Sequence, residues 1–268
     1  MIYKFNLGRN CLKVIIRTYG IKEIFIPYYS CKTIWQAIRQ ENCKINFYHI
    51  DKDFMPMCEF PKDTYILYIN YFGLFENNCK ILAKKYKNLI TDNTQAFYAG
   101  NYGIAGFNSL RKFFTVQNGA YLQIEKEPDS NFEQDNLKLK TDDMQNNYEQ
   151  FKQNELKLND EPIKLISSEV EAQMRKIDFE HDKKQRIEVF NNYSQTFDKF
   201  NLIKLPPLNG NIPYCYPLCT NNQEILKKLE GLTILRLWDD IPQSFPEYEF
   251  LYNVAALPIN KYIYKLLM

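Results

Sequence analysis

Apolar positions recur at two spacings along the first part of the chain. Between Arg9 and Tyr19, Leu12, Val14, Ile15 and Ile16 follow the repeat of an amphipathic helix, and Gly20 stands where such a helix stops. Glu23-Ile24-Phe25-Ile26 reads as a short buried strand closed by Pro27. The pattern then predicts a helix over Lys32 to Gln40, an alternating strand over Cys43 to Ile50, a strand over Thr64 to Asn70 and an amphipathic helix over Phe75 to Tyr86. Leu89-Ile90-Thr91 is a further strand ending on Asp92, and Ile104 to Phe107 and Ala120 to Ile124 are shorter candidates.

Strand and helix in alternation imply parallel crossovers and an α/β sheet covered on both faces. In such sheets ligands sit beyond the carboxyl ends of the strands, so the residues that follow each strand are where chemistry is expected.

From Glu125 to Pro162 the chain turns to Asn, Gln, Asp, Glu and Lys, the composition of a solvated helix, a long excursion or partly disordered chain. Ser167 to Phe200 reads as one long helix with Ser167-Ser168-Glu169 as cap candidates. Leu202 to Leu205, Pro213 to Leu218, a helix at Asn222 to Glu230 and a strand at Leu232 to Leu237 form a smaller α+β unit. A boundary near residue 163 divides a large α/β domain, residues 1–163 with the polar excursion at 125–162, from a small one, residues 164–268.

With 45% hydrophobic and 25% charged residues, the 268-residue chain can bury a sizeable core, which excludes disorder as its main state. Thirty-four basic residues against 32 acidic ones leave a net charge of +2, no electrostatic case for nucleic acid or an anionic membrane as a main partner. No apolar run approaches the roughly 18 to 20 residues of a membrane span. Met1-Ile2-Tyr3-Lys4-Phe5-Asn6 lacks the basic start and apolar segment of an export signal, so a cytoplasmic protein is expected. Its seven scattered cysteines then read as reduced thiols. Cys215 and Cys219 are close, but with only His49 and His181 in the chain the ligand spacings of a zinc site are missing, and no metal is expected. Neither histidine has an acid or thiol near it in sequence, and neither is a catalytic candidate.

Three features carry candidate chemistry. Ile90-Thr91-Asp92-Asn93-Thr94-Gln95 delivers a carboxylate at a strand end; Ser109-Leu110-Arg111-Lys112 follows a short strand; Gly8-Arg9-Asn10 opens a helix whose N–H groups and dipole suit a phosphate. A lysine amine, an acid and a helix N-terminus are the parts that pyridoxal 5'-phosphate needs: a Schiff base to its aldehyde, a partner for the pyridine nitrogen, and a phosphate seat. Each also has a plainer reading. Asp92 would be a turn or cap residue, and Lys112 a surface charge, although its place between Leu110 and Phe113-Phe114 makes a charged amine costly. Arg111 is either a substrate phosphate contact or a solvated neighbour of Lys112. Trp35 and Trp238 read as core or interface residues. Asp51-Lys52-Asp53 after a strand invites a rival, a DxD motif binding a divalent cation and a nucleotide-sugar in a glycosyltransferase, against a charged turn.

Several stretches resemble the DegT/StrS family of sugar aminotransferases, fold-type-I pyridoxal phosphate enzymes acting on nucleotide-linked keto sugars. Gly8-Arg9-Asn10-Cys11-Leu12 is similar to the family's opening Gly-Arg/Thr-x-Ala-Leu helix, and Ile24 to Cys31 to its strand, proline and Cys or aromatic segment. Phe47-Tyr48-His49-Ile50-Asp51 and Tyr71-Phe72-Gly73 look like its next strand ends. Asp92-Asn93-Thr94-Gln95-Ala96 stands where the family has Asp-x-Ala-Gln/His-Ala, and Ser109 to Phe114, then Asn118-Gly119-Ala120, where it has its Schiff-base lysine and following glycines. Arg186 to Tyr193, Pro213 to Pro217, Leu237-Trp238 and Leu257-Pro258-Ile259 are similar to the closing pattern.

The resemblance implies a three-layer αβα fold with a mixed, mainly parallel sheet and a small C-terminal α+β domain. It implies Lys112 as the cofactor's anchor and proton shuttle, Asp92 on the pyridinium nitrogen and Gln95 near the ring and its hydroxyl. Ser109 would bind phosphate with the backbone of Gly8, Arg9 and Asn10. It further implies transfer of an amino group, from glutamate, to a nucleotide-linked keto sugar in surface-polysaccharide or glycoconjugate synthesis, by a homodimer. A lysine at 112 rather than a histidine favours transamination over dehydration. The chain also departs from the family. It is shorter after residue 124, where members carry an interface loop with an Asn and an Arg. Cys31 replaces the ring-stacking aromatic unless Tyr28 or Tyr29 takes that role, and Phe107 stands where a serine is frequent. These departures define the alternative of a degenerate relative acting as a binding or scaffold protein.

Overall fold

In a computed structural model, which describes residues 1–129, 131–139, 148–230, 232 and 234–259, the apolar runs of the first half become the strands of one sheet. Ile2–Phe5 (β1), Glu23–Pro27 (β2), Lys44–Tyr48 (β3), Ile66–Ile69 (β4), Leu89–Asp92 (β5), Ala105–Phe107 (β6) and Ala120–Ile124 (β7) lie in the order β1-β7-β6-β5-β4-β2-β3. β3, β2, β4, β5 and β6 pair in parallel, and β7 runs antiparallel to both β6 and β1. Every residue of β4 and β5 is buried, as central strands covered on both faces require. The α/β class expected from the pattern, and the mixed, mainly parallel sheet that the resemblance implies, are therefore what the chain forms.

Helices Gly8–Tyr19 (α1), Lys32–Gln40 (α2) and Glu76–Lys85 (α3) lie between strands where the periodicity predicts them. α1 buries Cys11, Leu12, Val14, Ile15 and Ile16 and ends at Gly20, which takes φ 63° and returns its N–H to Arg17 and Ile16 carbonyls. That left-handed cap is open to glycine at little cost. The pattern gives no sign of β1, because only Phe5 in it is fully buried and an edge strand of this kind carries no apolar alternation.

In the polar stretch the described part holds a helix, Tyr148–Leu158 (α4). Residues 130 and 140–147, over which part of that expectation falls, lie outside the described residues. The single helix expected over 167–200 is two, Ser168–Met174 (α5) and Phe179–Phe197 (α6). Ser167 Oγ caps the first on the N–H of Val170 at 3.2 Å, and Asp178 Oδ1 caps the second on the N–H of His181 at 3.0 Å. A second capping residue, eleven positions after the first, starts a separate helix, and periodicity alone passes over it.

Cys215–Leu218 (β8), Gln223–Glu230 (α7), Leu235–Leu237 (β9), Tyr248–Leu251 (α8) and Val254–Pro258 (β10) follow. Residues 202–205 form no strand, and β10, unforeseen, lies in the middle of a three-stranded antiparallel sheet ordered β8-β10-β9. Both sheets feed one apolar cluster, in which Tyr29 after β2 packs edge-on to Trp238 at 4.7 Å. A buried Glu247 ties them as well: its carboxylate accepts from the Ile50 N–H at 2.9 Å and pairs with His49 Nδ1 at 2.9 Å. His49 thus has the acid partner its sequence neighbourhood lacks. Among the described residues no helix is long and apolar enough to cross a membrane.

Candidate cofactor site

The loops after β4, β5 and β6 and the start of α1 meet at the carboxyl edge of the large sheet. Gly8 marks the meeting. A Cβ there would lie 2.9 Å from the Asn108 carbonyl and 3.3 Å from Thr94 Cγ2, so α1 begins against both the β5 and the β6 loops. The opening turn sends the N–H groups of Asn10 and Cys11 back to the Leu7 carbonyl, each at 3.1 Å. The Asn10 side chain holds Asn6 Oδ1 and the Pro162 carbonyl, both at 2.9 Å. The Asn10 side chain is thereby engaged within the fold, and the backbone of Gly8, Arg9 and Asn10 forms the helix start expected to face a phosphate.

Asp92 ends β5 almost wholly buried, its Oδ1 accepting the Thr94 N–H at 2.8 Å. Burial drives its carboxyl pKa up, while the Thr94 hydrogen bonds and the charge of Lys112 pull it back. Lys112 ends a 3-10 turn, Leu110–Lys112, entered from the buried Ser109 and pinned by the Leu110 N–H to the Gly119 carbonyl at 2.9 Å. Burial pushes the Lys112 ammonium pKa down; Cys31 and Asp92 oppose that, and Arg111 adds to it. Its Nζ lies 5.5 Å from the centre of the Tyr214 ring.

Gln95 is fully buried. Its Oε1 accepts the Phe72 N–H at 2.8 Å, and its Nε2 is buried without a hydrogen-bond partner. The Phe72-Gly73 turn makes that contact geometrically tight. Gly73 sits at φ 75°, where a Cβ would come within 2.7 Å of the carbonyl oxygens of both Gln95 and Ile212. The Tyr214 N–H closes the crossing onto the Phe72 carbonyl at 2.8 Å, bringing the segment before β8 over the site.

Some neighbours have no site role assigned from the sequence, where they stand only within stretches of resemblance. Arg186 on α6 is buried, donates to the Phe113 carbonyl at 3.0 Å and to Asp182 at 2.7 Å, and lies 4.4 Å from the Phe113 ring, so it ties the lysine loop to the small sheet. Tyr214 and Cys215 reach Lys112 from the far side; burial pushes the Cys215 thiol up and Lys112 pulls it back. Their signal was only the Pro213 to Pro217 resemblance. Neither tyrosine beside Cys31 faces Lys112: Tyr28 packs among Trp35, Phe47 and Phe245, and Tyr29 bonds the Leu237 carbonyl at 3.2 Å. Cys31 lies near enough to Lys112 to act on its pKa. Arg111 is not solvated: its side chain is 11% exposed and pairs with Glu155 of α4, as does Arg9.

Asp51, by contrast, builds a turn. Its Oδ1 accepts the N–H groups of Asp53 and Met55, both at 2.9 Å, and Lys52 pairs with Glu249. Among the described residues no group of three or more His, Cys, Asp or Glu is placed to hold a metal.

The donor set fits pyridoxal phosphate. A half-buried amine with its charge disfavoured, a buried carboxylate in its field and an orphaned amide N–H stand at one strand edge. The architecture is a mixed seven-stranded sheet followed by a small antiparallel one. The chain is similar in structure to a DegT DnrJ EryC1 StrS aminotransferase from Brucella abortus, at 14% identity and a TM-score of 0.64, covering 99% of this chain and 84% of that one. It is similar too to DesV of S. venezuelae, solved with a ketimine intermediate, at 15% identity, a TM-score of 0.65 and coverage of 99% and 82%. A third is PseC of Helicobacter pylori, an aminotransferase of pseudoaminic acid biosynthesis, at 15% identity, a TM-score of 0.60 and coverage of 99% and 85%. No family model and no curated protein matches the sequence. The resemblance read from the motifs is thus met at the level of the fold.

Proposed function

We propose that this protein is a pyridoxal phosphate-dependent aminotransferase that transfers an amino group, with glutamate as donor, to a nucleotide-linked keto sugar. The observation that carries the reading is the half-buried Lys112 held in the field of the buried Asp92 at the carboxyl edge of the sheet. Pyridoxal phosphate, when bound, supplies an aldehyde for amines and a ring that accepts electrons. Lys112 anchors it and afterwards carries a proton on Nζ; burial lowers its pKa and so favours the neutral amine that takes the proton. Asp92 holds a proton donor of the ring. Gln95 offers its spare Nε2–H to an oxygen beside it, with Oε1 already fixed on Phe72. Ser109 and the N–H groups of Gly8 and Arg9 take the phosphate.

Residues 1–163 form the cofactor-holding unit in this reading, and residues 164–268 cover it with Tyr214. The setting is cytoplasmic surface-polysaccharide or glycoconjugate synthesis by a homodimer, supported by the sequence resemblance and by the sugar aminotransferases that share the fold.

Visible absorption of the purified protein with added pyridoxal phosphate tests this. A band above about 400 nm that borohydride removes and Lys112→Ala lacks is expected, and glutamate should discharge it. No band under any condition would sink the aminotransferase reading in favour of a degenerate relative that binds a partner.

A further inference from the structure

Lys112 Nζ stands over the ring of Tyr214, 5.5 Å from its centre, within the roughly 6 Å at which an aromatic face attracts a cation. Among the described residues no hydrogen bond or ion pair reaches this amine. Burial raises the Tyr214 phenol above its ordinary pKa, so the ring stays neutral and meets the lysine with its face rather than as a phenolate. The backbone that carries the ring is fixed on both sides. Its N–H donates to the Phe72 carbonyl at 2.8 Å, and Arg186 Nη1 donates to its carbonyl at 3.4 Å. The Phe113 ring lies 5.7 Å away with the Arg186 guanidinium over it at 4.4 Å. Two cations thus stand over two adjoining rings. None of the backbone bonds uses the Tyr214 side chain, so the ring can be exchanged without undoing the crossing.

We propose that Tyr214 is a positioning residue through which the segment before β8 sets the charge of Lys112, its ring face stabilising the ammonium form where water reaches the amine poorly. The other groups acting on that amine are ionisable: Cys31 at the start of α2, Asp92 at the end of β5 and Cys215 in β8 favour its charge, and Arg111 in the same turn opposes it. Tyr214 differs from them in being neutral. It holds the proton without forming an ion pair that must break when the proton leaves. The hold on the charge needs no cofactor; its use in proton transfer rests on the reading of Lys112 as the cofactor's anchor.

The test is reductive methylation of Lys112 against pH in the protein without cofactor, resolved at this residue by mass spectrometry. Tyr214→Phe keeps the face and should leave the midpoint at the wild-type value. Tyr214→Leu keeps an apolar cover and loses the face, so the midpoint should fall by about 0.5 to 1 pH unit. A cover that merely loosens and admits water moves the midpoint up, the opposite direction. Pentafluorophenylalanine at 214 keeps the shape and drains the face, and should give the same fall even if the leucine variant does not fold. A midpoint at or above wild type with the fluorinated ring, or a fall in Tyr214→Phe equal to it, overturns the proposal. Pyridoxal phosphate is then added to the wild type. The band above about 400 nm with an unmoved midpoint in the variants keeps the aminotransferase and removes this role of Tyr214; a fallen midpoint with no band keeps the role and removes the aminotransferase.

Discussion

Asp92 and Lys112 stand in each other's field from the ends of neighbouring parallel strands. Burial raises the carboxyl pKa of one and lowers the ammonium pKa of the other, and each charge partly restores its partner. The pair is a compromise between two desolvation penalties and one attraction, an arrangement that concentrates at functional sites.

A pH dependence follows from it. Capture of pyridoxal by Lys112 requires the neutral amine, so its rate should rise with pH through a midpoint below the ordinary 10.5. Asp92 raises the lysine pKa, so Asp92→Asn should move the midpoint further down, and Arg111→Gln, which removes a lowering charge, should move it up. Stopped-flow absorbance against pH measures this, and a midpoint at or above 10.5 in the wild type would contradict the burial of the amine.

Gln95 should report the cofactor through stability. Gln95→Leu leaves the Phe72 N–H unpaired and should cost about 1–3 kcal/mol without ligand. It also removes the spare Nε2, so the rise in melting temperature on adding pyridoxal phosphate should shrink relative to wild type. Paired melts with and without pyridoxal phosphate decide it; an equal rise in both proteins would take Gln95 out of the site.

Gly73→Ala tests the crossing that fixes Gln95. A Cβ at φ 75°, 2.7 Å from two backbone oxygens, cannot be relieved by rotating a side chain. Urea titration should reveal a loss of about 3 kcal/mol or more, or no folded protein at all. Gly20→Ala is the control: nothing lies within 4 Å of a Cβ there, so it should cost only the left-handed conformation, about 1 kcal/mol.

Arg186 anchors the lysine loop without touching the reacting groups. Arg186→Ala unpairs the Phe113 carbonyl, leaves Asp182 with the Tyr98 hydroxyl alone, and should cost about 2–4 kcal/mol in urea. Arg186→Lys should recover only part of this, because an ammonium lacks the planar fork that reaches both partners. Full recovery would reduce the contact to its charge.

The chain's own pattern determined the alternation of strands and helices, the extent of α2 and the glycine stop of α1, because periodicity and capping are local properties. It also singled out Asp92, Gln95, Ser109 and Lys112, each of which follows a recognisable apolar run. Tertiary structure alone decided the rest. β1 becomes a strand through its pairing with β7, and the small sheet closes around β10. Gln95 is left with an orphaned amide nitrogen by the Phe72 turn, Tyr214 is laid against Lys112, and Glu155 is drawn onto Arg9 and Arg111. Each of these joins residues far apart in the chain. Hydrophobic period carries no information about which polar group a folded backbone will bury beside which other, and that pairing sets the charge and hydrogen-bonding capacity of the site.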